Sequence, residues 1–213
     1  MDQFVLEIYL SEIESQSLMA INAITALDEL GATRFEDLKE MSSEQRRLHT
    51  KEYFRSVHSF LTHLSNISRL IWPPALSPKQ NCFCGKPRAM ELTCSTCVAR
   101  MRSSEILKAL NILEPEHILK SRTLRDHLEH FDERIDNWMQ TSKHQNFVQD
   151  NIGPLGAIKG SDQSDMMRNY DPRTGSFSFR GEIYSLVDLF AGLQDVLGRT
   201  RVAIDGAREL QGF

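Results

Sequence analysis

The ionisable side chains between Arg122 and Trp138 are denser and more mixed than solubility requires. Arg122, Arg125, Asp126, His127, Glu129, His130, Asp132, Glu133 and Arg134 combine permanent cations, carboxylates and two imidazoles, a set able to hold, protonate and neutralise an anionic substrate. Leu124, Leu128, Phe131, Ile135 and Trp138 recur at helical spacing, which predicts one helix with a single apolar stripe facing a core. At 100° per residue, His127, His130 and Arg134 fall within about 60° of one another on one flank of that stripe, whereas Arg125 and His130 stand about 140° apart. The plainer reading of the same residues is a solvated, salt-bridged face, since an i,i+4 pair such as Arg122 with Asp126 is common and contributes only about 0.3–0.5 kcal/mol. A metal site made of His127, His130 and nearby carboxylates is a third possibility, although His-x2-His is not a specific ligand spacing.

A second group of reactive side chains lies upstream. The four cysteines form two pairs, Cys82-Phe-Cys84 and Cys94-Ser-Thr-Cys97, within a segment from 73 to 101 that interrupts the helical pattern. Two readings stand side by side: a tetrahedral zinc site, structural because four thiolates leave no open position, or unligated thiols in a loop. Gly85 after Cys84 permits the left-handed turn that such knuckles use, while the first pair is one residue tighter than the usual spacing.

The elements that must position these groups are mostly helical. Leu6, Leu10, Ile13, Ile21, Ile24 and Leu27 predict a helix over about 2–30, closed by Gly31. Thr33 and Glu36 fit a capping box for a short connecting helix. Phe54, Val57, Phe60, Leu61, Leu64, Ile67 and Ile71 predict a second long helix from Ser43 to Ile71, stopped by Pro73-Pro74. Ser103 or Ser104 is expected to cap a short helix ending near Leu110, and the stretch from 140 to 175 reads as an irregular excursion rich in Gly, Asn and Asp. Ser176-Phe-Ser-Phe179 and Glu182-Ile-Tyr184 around Arg180-Gly181 predict a β-hairpin. Ser185 and Asp188 then open a last helix, with a frayed extension from Val202 to Phe213.

With 213 residues, 40% hydrophobic and 25% charged, the chain is expected to be a single helical domain spanning 1–213, with a core of its own. A net charge of −4 argues against a surface coated with non-specific nucleic-acid affinity but leaves room for a local basic site. No basic region precedes an apolar run at the start and no segment approaches bilayer length, so the expectation is a cytoplasmic protein without membrane contact. Gly-rich phosphate loops, nucleophile elbows and HExxH motifs do not occur in the sequence.

The run Arg125-Asp-His-Leu-Glu-His130, an Arg, a polar residue, then His at the sixth position, resembles the R-x4-6-H signature of the HEPN superfamily. That resemblance implies an antiparallel helical bundle, here carrying the Cys-rich insertion and a β-hairpin before the last helix, and commonly a homodimer. It implies metal-independent endoribonuclease activity of the toxin or phage-defence type, with RNA as substrate, no cofactor for catalysis and a possible antitoxin partner. Within it His130 is the general acid or base, Arg125 the phosphate clamp, and Asp126 orients the Arg or a partner residue. Beside these, His127 is taken as a further catalytic candidate and Arg122 and Arg134 as substrate-binding residues. Non-catalytic members serve instead as nucleotide-binding, RNA-binding or protein-binding dimerisation modules.

Overall fold

The computed structural model describes residues 1–73, 94–113, 116–121 and 130–211. The chain is mostly helical, with a small four-stranded sheet ahead of the last helix. Among the described residues six α-helices occur: α1 (Gln3–Gly31), α2 (Phe35–Glu40), α3 (Ser43–Ile71), α4 (Ser95–Ala109), α5 (Phe131–Thr141) and α6 (Leu186–Gln211). The strands are β1 (Val148–Ile152), β2 (Met166–Asp171), β3 (Ser176–Phe179) and β4 (Glu182–Ser185), in that spatial order. No described helix is long and apolar enough to cross a membrane.

Contacts divide the chain into two compact units. The first comprises Met1–Leu18, His63–Ser121 and Gly192–Phe213. It buries Leu10 and Ile13 of α1, Leu64, Ile67 and Ile71 of α3, Ile106 of α4, and Leu193 and Val196 of α6. Here α4 is fastened to the end of α3 by side chains that satisfy its last carbonyls: Arg102 donates to Arg69 O (2.9 Å) and Leu70 O (3.1 Å), and Ser103 to Ile71 O (2.6 Å).

The second unit comprises Met19–Thr62 and Arg122–Ala191 and contains the sheet. β1 and β2 pair in parallel, and β2–β3 and β3–β4 antiparallel. Phe54, Val57 and Phe60 of α3 and Met166, Met167, Phe177 and Phe179 of the strands are buried in it. The β3–β4 turn holds Arg180 and Gly181 at φ of 48° and 89°, the two positive values of a type I′ hairpin.

Several expectations need correction. Thr33 does not cap α2; Arg34 occupies that position without a side-chain cap. Neither Ser103 nor Ser104 starts α4, which begins at Ser95, inside the segment expected to be irregular. The supposed excursion over 140–175 contains β1 and β2. The helix expected from near Ser121 to Trp138 is not one continuous element: His130 is non-helical (φ −114°, ψ 46°) and is the N-cap of α5, while residues 122–129 lie outside the described residues. Asp132 and Glu133 in the first turn favour a helix start at this point, where carboxylates meet the positive end of the macrodipole. Ile135, assigned to the apolar stripe, is exposed. The last helix is continuous to Gln211 rather than fraying at Val202.

The long helix α3 opens on a capping box absent from the sequence expectations. Gln45 N donates to Ser42 Oγ (3.2 Å), and Ser42 N to Gln45 Oε1 (2.7 Å). Ser42→Ala should therefore lower stability by about 1 kcal/mol in thermal or urea unfolding, while Ser42→Asp should restore it.

Candidate active site at the start of α5

Four of the residues singled out for catalysis or binding, Arg122, Arg125, Asp126 and His127, lie outside the described residues, as do Cys82 and Cys84. His130 and Arg134 are described, and both sit at the start of α5. His130 is half-exposed, with Nδ1 3.1 Å from Glu133 Oε1. A carboxylate on one ring nitrogen fixes the ring and leaves Nε2 to face solvent or a substrate, the arrangement that a general base uses. Arg134 lies one turn on, its backbone N–H closing on His130 O at 3.1 Å.

α5 is held by the hairpin beneath it. Phe131 packs edge-to-face on Phe179, with ring centroids 6.0 Å apart. Trp138 Nε1 donates to Asp165 Oδ1 at 2.9 Å, and Ser142 Oγ donates to the same oxygen at 2.6 Å. These two donors, with the Asp162 N–H, hold the Asp165 carboxyl below its usual range although burial pushes the other way. Arg180, thrown outward by its left-handed turn position, donates to Arg134 O (3.1 Å), Asn137 Oδ1 (2.6 Å) and Thr141 Oγ1 (3.3 Å). Burial and the neighbouring Arg134 cation lower the Arg180 pKa from its ordinary value, with Asp165 opposing. Two guanidinium groups thus repel each other beside α5, and an anion placed between them would relieve that repulsion. Arg180 was read from sequence only as a turn residue, and Glu133 was named within the ionisable set without a role of its own.

A separate polar cluster fills the same unit. Asp150 of β1 takes both Lys51 of α3 and Arg168 of β2, the latter as an ion pair with Nε at 2.6 Å from Oδ1. The Arg168 guanidinium lies over the rings of Phe54 (5.7 Å) and Phe131 (5.4 Å), so it links the cluster to the first residue of α5. His58 stands on the same face of α3 as Lys51 and Phe54, edge-on to Phe177, its Nε2 buried without a hydrogen-bond partner among the described residues. Burial, then the Arg168 cation, push its pKa down to about 4, against a smaller opposing pull from Asp150.

Folded His58 therefore binds its proton less readily than the unfolded chain does, so its contribution is complete above about pH 6.5 and is lost as pH falls toward 4. The loss should reach about 3 kcal/mol at the acid end. Urea unfolding between pH 7 and pH 4 should show it, and His58→Leu should flatten that limb; an unchanged slope in the variant would assign the acid sensitivity elsewhere.

Among the described residues no three His, Cys, Asp or Glu side chains converge as a metal cluster. Cys94 and Cys97 are both buried at the start of α4. No protein-family model, curated protein or solved structure matches the chain.

Proposed function

We propose that the start of α5 is the active site of a metal-independent endoribonuclease of the toxin or phage-defence type, carried on a HEPN-like helical scaffold. The observation that carries this reading is the His130–Glu133 pair, an accessible imidazole oriented through Nδ1 by a carboxylate. His130 Nε2 takes the proton of the RNA 2′-hydroxyl or returns one to the departing 5′-oxygen; the 2′-oxygen bonds to phosphorus, the 5′-oxygen leaves, and a 2′,3′-cyclic phosphate remains. Arg134 supplies a cation for the phosphorane charge, Arg125 and Asp126 complete the site as the sequence resemblance assigns them, and His127 and Arg122 join them. The working unit is a homodimer in the cytoplasm, in which the second copy adds cations that the acidic chain lacks. An antitoxin protein restrains it.

A non-catalytic HEPN-like module that binds RNA, a nucleotide or a protein is the second reading, favoured by the exposure of both His130 and Glu133, which an ordinary surface pair shares. Labelled RNA incubated in EDTA with wild type and with His130→Ala separates the two. Cleavage by the wild type alone supports the nuclease; cleavage by both removes His130 from the chemistry. Saturable RNA binding without cleavage, unchanged in the variant, supports the module.

A further inference from the structure

We propose that Phe147, propped on Trp138, with Lys143, His144 and Lys159 on the two turns beside it, is a stacking subsite for an unpaired base of single-stranded RNA. The choice of RNA rests on the reading of α5 as an RNA site; the subsite itself is built from other residues and does not involve His130.

The ring is held in place from below. Trp138 is fixed by its Nε1–H, which donates to Asp165 Oδ1 at 2.9 Å, and Asp165 is only 1% exposed. Phe147 packs against that indole with centroids 4.8 Å apart and planes at 66°. It is nevertheless 39% exposed. A single exposed apolar residue is ordinary. A ring already locked on a buried anchor is different, because a ligand that stacks on it pays little ordering entropy.

The turns beside the ring are equally fixed. Ser142 Oγ donates to Asp165 Oδ1 at 2.6 Å and accepts from Gln145 N at 2.9 Å, and Gln145 adopts a left-handed φ of 52°. Asn146 Nδ2 donates to Gly160 O at 2.7 Å, and Ser161 Oγ to Asn146 O at 3.4 Å. Lys159 therefore sits on a turn tied to the one that carries Lys143 and His144. Burial works against ionisation of Asp165, hydrogen bonds from Ser142, Trp138 and Asp162 favour it, and His144 is near enough to add a favourable charge.

Charge separates this surface from the rest of an acidic chain. From Ser142 to Ser161 the ionisable residues are Lys143, His144, Asp150 and Lys159. Asp150 is 6% exposed and paired with Lys51 and Arg168, so it adds no negative charge at the surface. The other three are exposed, and none is held in an ion pair among the described residues. The next acid, Asp162, is engaged in capping the short 3₁₀ turn before β2. An aromatic ring among cations suits a ligand that alternates flat faces with negative charges, as single-stranded nucleic acid does at every nucleotide. An acidic peptide offers the charges without the faces.

The test is fluorescence anisotropy of the full chain with a labelled 2′-O-methyl oligoadenylate. Its blocked 2′-oxygens prevent cleavage, so binding is read whether or not the chain is a nuclease, and failure of the nuclease reading leaves this result standing. Phe147→Leu, which keeps an apolar contact with Trp138 but removes the aromatic face, should weaken binding by about 5- to 100-fold. Phe147→Tyr should bind as the wild type does. Replacing Lys143 and Lys159 together by Ala should lower the dependence of log affinity on log salt by about one unit. Both lysines are exposed, so that variant decides the matter even if Phe147→Leu unfolds. Equal affinity in a folded Phe147→Leu, an unchanged salt slope in the lysine variant, or no saturable binding by the wild type would overturn the proposal. So would polyglutamate bound as tightly as the oligonucleotide, which would mark a plain cationic surface.

Discussion

Asp150→Ala is expected to destabilise the protein by about 3–5 kcal/mol in urea unfolding, more than the loss of any exposed ion pair. The side chain is only 6% exposed and stands between two cations of unequal exposure: Lys51 is 43% exposed, Arg168 14%. Removing the carboxylate leaves Lys51 free to turn toward water. Arg168 cannot follow, because its guanidinium is held over Phe54 and Phe131 and β2 fixes its backbone between two neighbours. The cost is therefore mainly that of an uncompensated buried cation. Lys51→Ala should cost about 1 kcal/mol or less, since water already screens that partner. The double variant Asp150→Leu, Arg168→Met should recover most of the loss, because a buried ion pair replaced by apolar groups of similar size is often neutral. A loss below about 1 kcal/mol in Asp150→Ala would mean that Arg168 escapes to solvent and that the cluster does not fix the sheet on α3.

The same cluster shows why part of the fold was legible in the sequence and part was not. α1 and α3 declared themselves because their buried positions are apolar at helical spacing, and α3 even has the bounds its pattern predicts. The hairpin was equally plain, since Phe177 and Phe179 alternate with serines around a turn that needs positive φ. β1 and β2 carried no such signal. Their sequences, Val-Gln-Asp-Asn-Ile and Met-Met-Arg-Asn-Tyr-Asp, place polar groups inside the protein, where Asp150 meets Arg168 and Asn151 bonds Asn169 across the parallel pair. Polar side chains satisfied by partners distant in sequence look like a loop until the partners are known. The start of α4 was missed for the converse reason: Cys94 gives no recognisable cap, so the serines downstream drew the boundary instead. At the candidate site, His130 and Arg134 were visible by type and spacing, but the helix start at His130 was hidden by an apolar spacing that runs through it in the sequence. Arg180, recruited to α5 by a turn in another element, could not be inferred from local spacing.

On the nuclease reading, His130→Ala should lower RNA cleavage by about 10²–10⁴-fold, the usual contribution of one positioned acid or base. The fold should survive, because the ring is half-exposed and its one described side-chain partner is Glu133. Glu133→Gln offers the sharper comparison. It keeps a hydrogen-bonding group beside His130 but removes the carboxylate's charge, so a smaller loss of about tenfold is expected, or 1.4 kcal/mol in the barrier. That loss should fall on kcat rather than KM, since the carboxylate touches the imidazole and not the phosphate. Arg134→Ala should instead weaken substrate capture and raise KM, through loss of a phosphate-binding cation on the adjoining turn. If Glu133→Gln leaves kcat unchanged while His130→Ala abolishes cleavage, the imidazole works without its carboxylate and the pair at α5 is incidental. If neither change matters and cleavage persists in EDTA, the chemistry belongs to other residues, and the start of α5 is a charged surface turn.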